Sequence, residues 1–143
     1  MDAEVIINDV LNRCLGVRTL SAARVISRRY DTALKPANLT STQFTLLVAT
    51  SKMKPQSITD LGILLSIERS GLSRNLKVME ARGLLIREVD GSARRKKVRI
   101  TRKGLDKLEV AYPFWQKIQL SIEAEMKGIS GDASAILAKL RGR

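Results

Sequence analysis

SITDLGILLSIERSGLSRNLKVMEARGLLIREVDGSARRKKVRITRKG, residues 57–104, decides the fold. Ser57 can cap a short helix through Ile58, Leu61, Ile63 and Leu64. Asp60 sits in its first turn, where a carboxylate complements the helix dipole. A break at Leu65-Ser66-Ile67 leads into a second helix from about Glu68 to Ala81. Leu72, Leu76 and Met79 mark its buried stripe at i, i+4 and i+7. Gly83 supplies the left-handed residue that ends it. Leu84–Val89 and Val98–Thr101 read as two strands, joined by a turn that opens on Asp90-Gly91. The order is a helix-turn-helix followed by a charged hairpin, a device that fits duplex DNA.

The helix beginning near Glu68 has the composition to enter a major groove, where each base pair shows a distinct donor and acceptor pattern. Its outward positions carry Arg69, Ser70, Ser73, Arg74 and Lys77. Ser70, Gly71 and Ser73 are small enough to let its leading end approach the bases. Arg74 can reach guanine O6 and N7; Asn75 and Lys77 can reach adenine edges or phosphate. A solvated amphipathic helix would have a similar pattern, so the hairpin carries the decision. Arg94, Arg95, Lys96 and Lys97 are consecutive, and four like charges at a turn repel one another unless an anion arrives. Strands of about five residues project such a tip by about 15 Å, at roughly 3.3 Å per residue. That reach meets a neighbouring minor groove or its phosphates.

Outward from this stretch the periodicity is helical. Leu11, Cys14, Leu15, Ala22, Ile26, Tyr30 and Ala33 predict one long helix over about 8–33, ended near Pro36. Asn38-Leu39-Thr40 reads as a loop. Thr40 or Ser41 caps the next helix, which holds Phe44, Leu47 and Val48. Leu105, Leu108, Tyr112, Trp115, Ile118, Ile122 and Met126 predict a helix over about 102–126, kinked at Pro113. Gly128 and Gly131 separate it from a last helix over about 132–140. The predicted fold class is mainly α with a small β-hairpin (α+β). We read residues 1–143 as a single domain, with a DNA-binding lobe at 38–104 between flanking helices at 8–36 and 102–141.

Composition narrows the function. The chain has 143 residues, 44% of them apolar, which is enough for one core. Lys and Arg number 26 against 14 acids, a formal charge of +12 that favours a polyanionic partner. There is no histidine and one cysteine. Histidine general-base catalysis is therefore excluded, as is a Cys/His zinc site. The carboxylates are scattered over helix faces, so no catalytic residue, metal site or cofactor is expected. A lone cysteine fits a reducing cytosol. No apolar run approaches the roughly 18–20 residues that span a bilayer, so a cytoplasmic protein with no membrane partner is expected.

Taken together, LTSTQFTLL (39–47), residues 57–87 and VRITRKG (98–104) resemble the MarR family of bacterial winged helix-turn-helix regulators. AYPFWQKIQ (111–119) is similar to the dimerisation helix of one branch of that family. The resemblance runs from about Cys14 to the C-terminal end. It implies a winged helix-turn-helix with N- and C-terminal dimerisation helices, in a triangular homodimer. Each lobe would place one recognition helix in one of two successive major grooves of a palindromic operator. Family wings usually carry an aspartate two residues before the arginine that enters the minor groove. Counted back from Thr101, that arginine matches Arg94, and the aspartate position holds Ser92. The wing would then lack the carboxylate that orients its arginine, with Arg95 and Lys96 sharing the contact.

The resemblance also implies an effector. Many members release DNA when a small aromatic acid or phenol binds between the dimerisation helices and the lobe. Arg18, Tyr30, Tyr112 and Trp115 are the candidates to line such a site, the arginine holding a carboxylate and the rings stacking. The same aromatics could simply be core. Some members sense peroxide through a cysteine in the first helix, but Cys14 falls about half a turn from that place, at which Gly16 stands. The leading expectation is a dimeric transcriptional regulator, a repressor by preference, with double-stranded DNA as its partner. The alternatives are a sequence-tolerant architectural DNA binder and a cysteine redox-sensing regulator.

Overall fold

The computed structural model describes residues 1–53, 57–89 and 96–142. Its helices are α1 (Ala3–Arg13), α2 (Leu15–Leu34), α3 (Ser41–Met53), α4 (Ile58–Leu65), α5 (Arg69–Ala81), α6 (Arg102–Glu125) and α7 (Ser130–Leu140). A 3-10 turn at Lys35–Ala37 follows α2. Strands β1 (Leu85–Val89) and β2 (Lys96–Ile100) stand between α5 and α6. They pair antiparallel, with Leu85 opposite Ile100 and Val89 opposite Lys96.

Local chemistry sets most boundaries. Thr40 and Gln43 form a reciprocal cap on α3, which resolves the choice between Thr40 and Ser41. The Thr40 hydroxyl accepts from the Gln43 N–H at 3.2 Å, and the Gln43 side-chain Oε1 accepts from the Thr40 N–H at 3.2 Å. Ser41 instead binds Asp31, through its N–H and its hydroxyl, both at 2.7 Å. Ser57 caps α4 by accepting from the Asp60 N–H. Ser66 turns the chain out of α4 with a left-handed φ of 54°. Gly83, at φ 71°, ends α5 as its sequence position predicts.

The expected single helix over 8–33 is two helices. Cys14 is extended, at φ −67° and ψ 106°, and its C=O starts α2 by accepting from Arg18 N–H. The Arg18 guanidinium folds back onto the Asn12 carbonyl, so a long side chain supplies one of the carbonyl partners that α1 loses at its end. Apolar spacing does not register such a break, because the stripe continues on both sides of it. Two other boundaries shift. β2 begins at Lys96 rather than Val98, and α7 begins at Ser130, before Gly131 rather than after it. α6 runs as one helix through Pro113.

The core belongs to the middle of the chain. Leu46, Leu47, Leu61, Leu72, Leu76, Met79, Leu84 and Leu85 are fully buried, and Leu34 and Ala111 close the cluster from α2 and α6. Each such leucine contributes about 1.5–3 kcal/mol. The ends of the chain differ. α1 and α7 have no buried residue. Leu11 is 61% exposed, Leu15 63% and Ile136 60%.

One joint ties α6 to the lobe. The Thr101 N–H and hydroxyl both donate to the Leu84 carbonyl, and the hydroxyl also donates to the Gly83 carbonyl at 2.6 Å. The same hydroxyl accepts from the Gly104 N–H and caps α6. Gly104 is buried against this joint, where a Cβ would stand 2.3 Å from the Leu84 carbonyl oxygen and 2.7 Å from Ile100 Cγ1. Gly104→Ala is expected to lower stability by about 1–3 kcal/mol, the range for forcing extra volume into a packed site. Urea denaturation checks this, and an unchanged midpoint would contradict the packing described.

Candidate nucleic-acid interface

α5 presents the candidate reading surface. Leu72, Leu76 and Met79 bury one side of it, which turns the opposite side to solvent. Ser70, Arg74 and Lys77 are exposed on that opposite side, with half-buried Ser73 beside them. From Ser70 to Lys77 the face runs about 10 Å, at about 1.5 Å per residue. That is about three base steps of 3.4 Å. Arg69 is exposed at the helix start and borders an open groove between α4 and α5, beside Thr59 and Glu68. Gly71 is half-buried near Ile67, which would lie 4.0 Å from an added Cβ.

Asn75 stands apart from the expected set. It is half-buried, and its amide donates to the Gly71 carbonyl one turn back at 3.0 Å. Its side chain is engaged within the helix rather than displayed on the face that carries Arg74.

Three contacts fix α5 against its neighbours. α4 packs closely on it at Gly62, where an added Cβ would meet Ile67 O at 3.2 Å and Leu72 Cδ2 at 3.5 Å. Arg82 donates to the Asn38 carbonyl at 2.7 Å just past the helix end. Glu80 pairs with Arg87 of β1, with side chains only 31% and 19% exposed. This last pair crosses from the helix to the hairpin and fixes the angle between them. Nothing in the residue pattern signals it, because the turn at Gly83 that brings the two together reverses the chain. On the hairpin itself Arg99 pairs with Glu88 at 3.1 Å.

Arg94 and Arg95 lie outside the described residues, as do Ser92 and the Asp90-Gly91 turn; of Lys96 the backbone in β2 is described. Among the described residues no group of three His, Cys, Asp or Glu side chains could hold a metal ion. Nor is any helix among them long and apolar enough to cross a membrane.

The aromatic candidates do come together where α2, α3 and α6 meet. Trp115 stacks on Tyr112, with centroids 5.8 Å apart, and on Phe44 at 6.1 Å. Tyr30, Trp115, Phe44, Leu34, Ser41 and Thr45 line a cavity of about 120 Å³. A cavity of roughly 150 Å³ admits one benzene ring, so this one is slightly too small for an aromatic ligand without side-chain movement. The Tyr30 hydroxyl donates to Gln119, whose amide donates to Glu123 at 2.7 Å. Burial, with Glu123 nearby, pushes the Tyr30 phenol up from its usual range. Arg18 does not join this cluster within the chain. It binds the Asn12 carbonyl and lies twelve residues before Tyr30, about 18 Å along a helix.

Arg29 and Glu125 form a two-bond ion pair between α2 and α6. The Arg29 guanidinium holds the Glu125 carboxyl below the usual carboxylate range. A depressed folded pKa contributes stability above the unfolded pKa, and that contribution is lost as pH falls through the folded value. Glu125→Gln is therefore expected to destabilise the protein near neutrality. Its denaturation midpoint should converge on that of the unaltered protein as the medium is made acidic. Parallel midpoint–pH curves would contradict this assignment.

With the geometry in place, comparison with known proteins is informative. A family model described as MarR family matches residues 37–96. The chain is similar to the solved transcriptional regulator MosR of M. tuberculosis, at 32% identity and a TM-score of 0.80, covering 90% of this chain and 93% of that one. It is equally similar to MosR in complex with DNA, at 33% identity and a TM-score of 0.82, covering 91% and 95%. The transcription regulator MarR from Oenococcus oeni PSU-1 matches at 26% identity and a TM-score of 0.66, covering 88% and 94%. No curated protein matches the chain.

Proposed function

The chain belongs to the MarR family of transcriptional regulators, and on that footing we propose that it is a homodimeric repressor that binds a palindromic operator in double-stranded DNA. The carrying observation is the outward face of α5, where Ser70, Arg74 and Lys77 are exposed on a helix held by α4, Asn38 and β1. The DNA complex of the similar MosR supports a DNA partner for this fold. In this reading Arg69, Ser70, Gly71, Ser73, Arg74 and Lys77 meet the major groove. Asn75 supports the helix from within, and Arg94, Arg95 and Lys96 meet the flanking backbone or minor groove.

The dimer rests on a physical need. The helices at 8–36 and 102–141 expose apolar side chains that the lobe at 38–104 does not cover, among them Leu11, Leu15, Leu20, Leu120 and Ile136. A second copy would cover them around a two-fold axis. That axis would set two recognition helices about 34 Å apart, one DNA turn. Repression follows from occupying the operator. A small aromatic or phenolic effector would act by favouring a different separation of the lobes. The Tyr30, Tyr112 and Trp115 cluster is its candidate site, and Arg18 of the same chain is not part of that cluster. The protein would work in the cytoplasm, without membrane or cofactor.

The +12 charge also suits a sequence-tolerant architectural binder, and binding measurements separate the two. A regulator binds its operator on the order of 10³-fold or more tighter than random DNA at fixed salt, whereas an architectural protein shows a steep salt slope and little sequence ratio. Arg74→Ala is expected to cost about 1–3 kcal/mol and to relax specificity in each half-site. Lys96→Ala should weaken all sequences alike and reduce the salt slope by about 1. Fluorescence anisotropy on operator and random duplexes across salt checks both. Equal losses on the two duplexes for Arg74→Ala would remove it from the base-reading set.

A further inference from the structure

The last described turn of the chain reaches back to the reader. Arg141, just beyond α7, donates from its guanidinium to the Leu64 carbonyl of α4 at 2.9 Å. That carbonyl lies in the last turn of α4. The Ile67 N–H takes the Gly62 carbonyl and the Ser66 N–H takes the Ile63 carbonyl, while the Leu64 carbonyl points to Arg141. A helix C-terminus carries partial negative charge and orphan carbonyls, so a guanidinium there makes a charge-assisted cap. α7 is otherwise without a buried residue, so its own packing does not account for this attachment.

We propose that Arg141 is a positioning residue for DNA recognition: its bond to α4 is a further attachment, made from the end of α7, that fixes the lobe's angle against the helices that pair the two copies. The inference rests on the dimer reading above. The other attachments come from α2 and α6: the Thr101–Gly104 joint, the bonds of Ser41 to Asp31 and the stack of Trp115 on Phe44. None of those contacts is made to α4. Arg141 ties the C-terminal end of α4 to α7 as well, and this narrows the range of separations open to the two recognition helices. The force reaches the reader because α4 packs on α5 at Gly62. A ligand or partner that released Arg141 would loosen the spacing without touching a base-contacting residue.

The test reads lobe separation without DNA. In a Cys14→Ser background, a spin label at Lys52→Cys on α3, at an exposed position, reports the distance between the two lobes of a dimer by double electron–electron resonance. The expected result is a single narrow distribution, broadened by Arg141→Ala and narrowed again by Arg141→Lys, which keeps a charged donor. On an operator, Arg141→Ala should also tolerate half-site spacings one base pair longer or shorter that the parent rejects. A distribution of unchanged width in Arg141→Ala would overturn the proposal while leaving the dimer intact. No dipolar coupling in the parent would remove the dimer itself, and this proposal with it. A loss in Arg141→Ala that is equal on operator and random DNA, with unchanged width, would reduce Arg141 to a general positive charge.

Discussion

The contact between Gly104 and the Leu84 carbonyl is the constraint on which the rest of the structure depends. α6 begins where the hairpin ends, and its first turn has no room for a side chain at this point. Thr101 binds the carbonyls of Gly83 and Leu84 from one side and caps α6 from the other. The end of α5, the start of β1, the end of β2 and the start of α6 therefore meet at one hydrogen-bonded, closely packed node. The start of α6 is thereby bonded directly to the chain that leaves α5.

Around that node the molecule divides by burial. The middle of the chain satisfies its own apolar groups, with Leu46, Leu47, Leu61, Leu72 and Leu76 sealed in one cluster. The ends do not, since α1 and α7 bury nothing. This division underlies the proposed arrangement, in which the middle reads DNA and the ends set where two readers stand. The polar contacts between α2 and α6, from Arg29 to Glu125 and from Tyr30 to Gln119, lie between those tasks. A change there would be carried along α6 to the node.

Much of this was legible in the sequence because it depends on neighbours along the chain. Ser57 as a cap, Gly83 as a left-handed stop and the Leu72, Leu76, Met79 stripe are local or periodic features, and the structure has all three. The strand segments flanking Asp90-Gly91 and the apolar spacing from Leu105 to Met126 likewise predict the hairpin and the long α6, and the structure has both. The break at Cys14 was not legible, because the apolar spacing carries on across it and the partner that takes up a freed carbonyl, Arg18, comes from the next helix. Asn75 is expected to reach adenine edges or phosphate; the structure shows its amide on the Gly71 carbonyl one turn back, a bond within the helix that residue type and spacing do not signal. Arg18 was grouped with Tyr30, Tyr112 and Trp115 by chemistry alone, and distance along the helix separates them. Glu80 with Arg87, Arg29 with Glu125 and Arg141 with Leu64 are tertiary pairings whose partners no spacing rule connects.

Selection of bound sequences from a random duplex pool, at fixed salt with the full-length chain, tests the central claim most directly. The account predicts a palindrome whose half-sites are centred about one helical turn apart, with base preference concentrated where α5 would enter each major groove. A pool that stays random after repeated rounds, despite tight binding, would contradict it, as would a single unpaired half-site.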